Sequence, residues 1–135
     1  MPGYAIKNLR ELTDSAADSS LGIAARFARG PLETDHLGVS LLNYQPGVRS
    51  PMAHTHREQE EVYVVLAGSG RIRLGDEVCE LRPWDAVRVS PETVRAFEAD
   101  GSGMEILAIG SDRPEGGDGE RAADTWIAEG ETAGA

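Results

Sequence analysis

The chain has 135 residues, enough to enclose one hydrophobic core and too few for two. Its 13 Lys and Arg stand against 23 Asp and Glu, and the net charge of -10 repels phosphate backbones and anionic lipid, so no nucleic-acid or membrane partner is expected. No stretch approaches the ~20 apolar residues that span a bilayer, the N-terminal "MPGYAIKNLRELTDSAADSS" lacks a signal-type apolar run, and a cytoplasmic protein is expected.

Residues 1–35 scatter Ile6, Leu9, Leu12, Leu21, Ile23 and Phe27 too irregularly for a long amphipathic helix. They are expected to form an N-terminal extension of extended and short helical pieces laid over a sheet. Residues 36–110 then carry short strand candidates between turn signals: "HLGVSLLNY", "EVYVVLAG", "GRIRLGD", "EVCEL", "DAVRVS", "TVRAFEA" and "MEILAIG". "GSG" at 68–70 and "GD" at 75–76 suit tight hairpins. No interval can hold a crossover helix, which predicts an all-β, antiparallel sandwich or barrel.

In the run from Glu61, alternation puts Tyr63 and Val65 on one face and Val62, Val64 and Leu66 on the other, so both faces are apolar and the outer one needs cover. A homodimer packed face to face would supply it. Cys79, the single cysteine, sits in the alternating "DEVCEL" as a small packing residue. Residues 111–135 are rich in Gly, Asp and Glu and are expected to form a mobile tail, with Trp126 and Ile127 as its one docking contact.

His54 and His56 are one residue apart, so on an extended segment both imidazoles reach the same point. Glu61 follows across the polar turn "REQE" and can bring its carboxylate opposite them. Two imidazoles and a carboxylate form a triad suited to one divalent transition metal, Fe, Mn, Ni or Zn, with positions left open for a ligand or water. Two exposed histidines beside a polar turn, holding no metal, are the alternative. Glu60 is the substitute ligand if the register slips by one, and His36 begins a strand candidate of its own.

"PGVRSPMAHTHREQEEVYVVLAGSGRIRLGDE" resembles the first motif of the cupins, with Gly47, His54, His56, Glu61 and Gly68 in its named positions and a spacer before His54 one residue longer than usual. The resemblance extends over about residues 36–109. It implies a jelly-roll β-barrel, frequently dimeric, with any metal inside. The family's second motif, built on Gly, Pro, Gly, His and Asn, is altered throughout: Trp84, Ser90, Glu92, Arg95 and Ala99 occupy those positions. Arg95 falls where the fourth metal ligand belongs, yet a guanidinium has no lone pair to give.

Two arrangements follow. Either His54, His56 and Glu61 hold a metal while Arg95 binds an anionic ligand, or Arg95 pairs with Glu61 and the histidines line a metal-free pocket. Tyr63 and Phe97 are candidate pocket residues beside Arg95, and Trp84 is expected to cover a barrel end. The functional expectation is a small-molecule-binding protein. The alternatives are a metal-dependent oxygenase or isomerase acting on a small anionic substrate, and a structural or protein-interaction role.

Overall fold

The computed structural model describes residues 3–122. Its strands are β1 (Ile23–Phe27), β2 (Gly38–Tyr44), β3 (Ala53–His56), β4 (Glu61–Leu74), β5 (Glu77–Leu81), β6 (Ala86–Val89), β7 (Arg95–Gly110) and β8 (Gly119–Ala122). A one-turn helix, α1 (Arg29–Leu32), joins β1 to β2. All pairings between these strands are antiparallel. One row runs β1-β2-β7-β3-β8, while β4 pairs with β5, β6 and β7. The sheet thereby curls into the expected jelly-roll barrel.

Two long strands make the curl possible. β4 and β7 run beside each other along most of their length, with register shifts between Val65 and Ala67 and between Gly68 and Gly70. A Cβ on Gly68 would strike the Gly103 carbonyl, and one on Gly70 the Glu98 carbonyl. "GSG" is therefore a bulged corner where two backbones nearly touch, and not the hairpin turn expected of it; glycine serves either purpose. "GD" at 75–76 is the hairpin, with Leu74 opposite Glu77. "TVRAFEA" and "MEILAIG" likewise prove to be two halves of β7.

Alternation fills the barrel as the sequence suggests. Tyr63 and Val65 of β4, Phe97, Met104 and Ile106 of β7, and Ile72 and Val89 are all buried in one cluster. Each such aliphatic side chain contributes about 1.5–3 kcal/mol on burial. Val62, Val64 and Leu66, on the opposite face of β4, are half-buried.

Trp84 departs from expectation: it is 75% exposed and covers nothing. It sits at φ 73, after Pro83, in a turn closed by Asp85 N–H donating to the Arg82 carbonyl. That is the third position of a type II turn, where positive φ ordinarily selects glycine. The residue thus keeps the backbone of the motif's first glycine without its side-chain economy.

The N-terminal segment is tied to the sheet by named contacts. Asp14 accepts from the Ala16 and Ala25 amides, Arg26 Nε donates to the Leu12 carbonyl, and Arg10 meets buried Glu105 at 2.6 Å. Residues 111–122, counted above with the mobile tail, instead end in β8, which pairs with β3 from Ala53↔Ala122 to His56↔Gly119. Backbone pairing to β3 compensates for the lack of an apolar pattern. Trp126 and Ile127 lie outside the described residues.

Candidate metal centre and ligand cavity

β3 presents His54 and His56 on one face, their rings edge-to-face with centroids 5.1 Å apart. Glu61 opens β4 across the turn. Its Oε1 lies 3.1 Å from His56 Nε2 and 3.9 Å from His54 Nε2. Ligands at ~2.1 Å from a shared ion stand ~3–3.5 Å apart, so the three groups are close to coordinating distance of one point.

The same oxygen accepts from Arg95 Nη1 at 2.9 Å and from the Tyr63 hydroxyl. Arg95 is wholly buried, and its Nη2 donates to the Ser90 carbonyl at 2.6 Å. Its Nε has no partner among the described residues. Arg95 thus makes the Glu61 pair, one of its two expected arrangements, and it is not among the residues lining the cavity. Its position opposite His54 in the β3–β7 register puts it where the motif's histidine was sought.

Asp118, just before β8, completes the site. Its Oδ1 accepts a hydrogen bond from His56 Nδ1–H at 2.8 Å, and its Oδ2 accepts the Glu58 and Gln59 amides at 2.7 and 2.8 Å. Burial works to raise this carboxyl, but the Glu58 amide, the imidazole and the Gln59 amide outweigh it and hold the pKa at about 2. An ionised Asp118 fixes the His56 tautomer with hydrogen on Nδ1. Nε2 is then a bare lone pair, buried and without a hydrogen-bond partner.

Bare Nε2 and anionic Glu61 face each other, and two acceptors in contact require a positive charge between them. Either a proton or a metal ion supplies it. In the metal-free protein the proton does: the Glu61 hydrogen bond, with Asp118 behind it, raises the His56 pKa against the opposing effect of burial. Burial pushes the Glu61 carboxyl up as well, but the two nearby imidazoles and the Tyr63 hydroxyl prevail and hold it far below the carboxylate range. The Tyr63 phenol is driven well above its ordinary value by burial and by the adjacent Glu61 charge, so it stays protonated as a donor.

The donor set fits a divalent transition metal. Two imidazoles and one carboxylate suit Fe, Mn, Ni or Zn, and an imidazole whose second nitrogen donates to a carboxylate is the usual state of a metal-bound histidine.

The three groups open onto a cavity of about 590 Å³. Tyr63 and Phe97 line it as expected, packed edge-to-face at 4.9 Å, and Phe27, Leu42 and Met52 extend its apolar wall. Arg29, Arg113 and Gln59 also line it. Sequence reading missed Arg29, Arg113 and Asp118, since none belongs to a motif and Asp118 lies 62 residues from His56, while Gln59, expected as a solvated residue of the "REQE" turn, is buried. His36 pairs instead with exposed Asp112, and Glu60 lies 3.9 Å from exposed Arg88. A second hollow, of about 560 Å³, contains neither histidine, and its Arg71 and Glu98 are paired at 2.6 Å.

A family profile described as a cupin domain matches residues 40–110. The chain belongs to the cupins. Its fold is also that of solved cupin structures. A cupin protein from Bacteroides fragilis superposes with a TM-score of 0.70 at 22% identity, covering 85% of this cupin and 89% of that chain. The polyketide cyclase RemF from Streptomyces resistomycificus gives 0.73 at 16% identity, covering 96% and 92%. KdgF from a Halomonas species gives 0.69 at 18%, covering 83% and 96%. At such identities the likeness is one of fold. No curated protein matches the sequence.

Proposed function

We propose that this cupin binds a small organic ligand in the barrel cavity and holds one divalent transition metal on His54, His56 and Glu61. The supporting observation is His56: its Nδ1–H is committed to Asp118, while its buried Nε2 faces the Glu61 carboxylate at 3.1 Å, where a proton or a metal ion must lie between them. A divalent ion held by these three residues would supply Lewis-acid polarisation of a ligand oxygen. Glu61 is oriented by Tyr63 and Arg95, whose bonds both fall on Oε1. The two imidazoles are placed side by side by the pleat of β3. Arg95 balances the carboxylate charge from behind.

Three protein ligands leave coordination positions for substrate, which favours an enzymatic role over passive binding. The reaction class in view is oxygenation or isomerisation of a small anionic substrate; RemF, of similar fold, is named as a polyketide cyclase. Metal-free binding is the competing arrangement, favoured by the 2.9 Å Arg95–Glu61 contact.

Metal analysis of protein supplemented with Fe, Mn, Ni or Zn separates the two. The proposal expects roughly one ion per chain in the parent and none in the His54→Ala/His56→Ala double variant. Metal-free parent protein would reject it.

A further inference from the structure

The cavity wall opposite the histidine strand carries a polar rim that no cupin motif accounts for. Gly38, Gly110 and Glu61 are consecutive partners across β2, β7 and β4. A Cβ on Gly38 would collide with the Arg29 guanidinium, and a Cβ on Gly110 with the Gln59 amide. The two glycines thus leave the sheet surface bare so that these polar heads can lie flat on it. The Ser111 carbonyl holds both in place, accepting Arg29 Nη2 at 2.9 Å and Gln59 Nε2 at 3.1 Å. Arg113 lines the same cavity a few residues on.

Neither Arg29 nor Arg113 has a carboxylate partner among the described residues. In a chain with ten more acidic than basic residues (23 against 13), half-buried Arg29 and exposed Arg113 place two guanidiniums on the lining of a cavity whose acidic group, Glu61, is already paired with Arg95. Two strand spacings, about 10 Å, separate the backbones of Gly38 and Glu61. Phe27, Leu42 and Met52 supply apolar lining elsewhere in the same cavity.

From this we infer that Arg29 and Arg113 form an anion subsite. It takes the carboxylate or phosphate ester of an elongated organic anion whose apolar body lies along the cavity and whose other end reaches His54, His56 and Glu61. Planar guanidiniums match either oxyanion with paired hydrogen bonds. The subsite deepens the proposed function by naming the ligand class, and it rests on that reading only for the far end of the ligand.

Protein-observed NMR titration with hexanoate, hexyl phosphate and hexanol tests it, in the parent and in the His54→Ala/His56→Ala variant. The expected result is at least one anion binding about tenfold or more tightly than hexanol in both proteins. The tighter anion identifies the group. Arg29→Ala and Arg113→Ala should each remove that preference while leaving hexanol binding in place. Gly38→Ala, which keeps the charge and displaces the guanidinium, should weaken the anion likewise. Equal binding of anion and alcohol, no binding of any probe, or anion binding indifferent to both arginines would overturn the subsite. A preference lost only in the double-histidine variant would overturn it too, since the anion would then have been a metal ligand. A preference that survives in a parent found to hold no metal would leave the subsite standing and reject the metal reading alone.

Discussion

Arg95 is the residue that sets this cupin apart, and its burial explains what it does. A guanidinium taken out of water is tolerated only when paired and hydrogen-bonded, and Glu61 with the Ser90 and Pro91 carbonyls satisfies Nη1 and Nη2, leaving Nε alone without a partner among the described residues. Glu61 Oε1 is consequently shared between Arg95, Tyr63 and His56. Arg95→His would free one of those positions and place an imidazole where the motif expects a ligand. We expect the variant to bind Ni(II) or Mn(II) more tightly than the parent by calorimetric titration; equal affinities would mean that the imidazole does not reach the site.

His56 gives a pH signature whose sign depends on metal. In the metal-free protein its pKa is raised, chiefly by Glu61, so its contribution to stability is fully present below the ordinary value of 6.5 and lost as pH rises through the folded-state value. Metal binding requires the unprotonated ring, so the stabilisation conferred by metal must change in the opposite direction. Thermal melts between roughly pH 6 and pH 8 should therefore show the Ni(II)-induced increment growing with pH while this metal-free contribution declines. An increment independent of pH would remove His56 from the ligand set.

At the scale of elements, strands were legible wherever side chains alternate, and illegible where glycine or a lone polar residue decides. The periodicity of "EVYVVL" and "MEILAIG" marked both as strands apolar on two faces without saying which face is inward; burial of Tyr63, Val65 and Ile106 decides it. "GSG" was ambiguous in principle, since a turn and a close approach of backbones both exclude a Cβ. The first motif located His54, His56 and Glu61 by local spacing alone. Asp118 was out of reach: "EGGDGERA" has no apolar period, and its pairing with β3 is settled by backbone hydrogen bonds that any sequence can make.

Trp84 lies at the same scale, because its turn joins β5 to β6. Positive φ at a non-glycine residue costs roughly 1 kcal/mol or more, and a side chain 75% exposed recovers little of it through packing. Trp84→Gly should raise stability by about 1 kcal/mol in urea unfolding, with an unchanged slope. A loss of stability would show that the indole makes contacts in the assembled protein that the single chain does not display.

For the whole molecule, that possibility bears on assembly. Tyr4 and Ile6 are 77% and 84% exposed, and the outer face of β4 is only half covered. We propose that a second copy covers this surface, as the two-faced apolar strand suggests. Light scattering at micromolar concentration should give about twice the 14.4 kDa chain mass; the mass of one chain would dismiss the dimer.

The barrel as a whole brings together residues from β3, β4, β7 and the segment before β8 around one point facing the cavity. Whether that point is a metal centre is tested most directly by anomalous diffraction from crystals grown with Mn(II). The expected result is a single strong peak about 2.0–2.3 Å from His54 Nε2, His56 Nε2 and a Glu61 oxygen, with the His56–Asp118 bond intact behind it. A map without such a peak, in which Glu61 still spans Arg95 and a protonated His56, would contradict the metal centre and leave the cavity as a metal-free binding site.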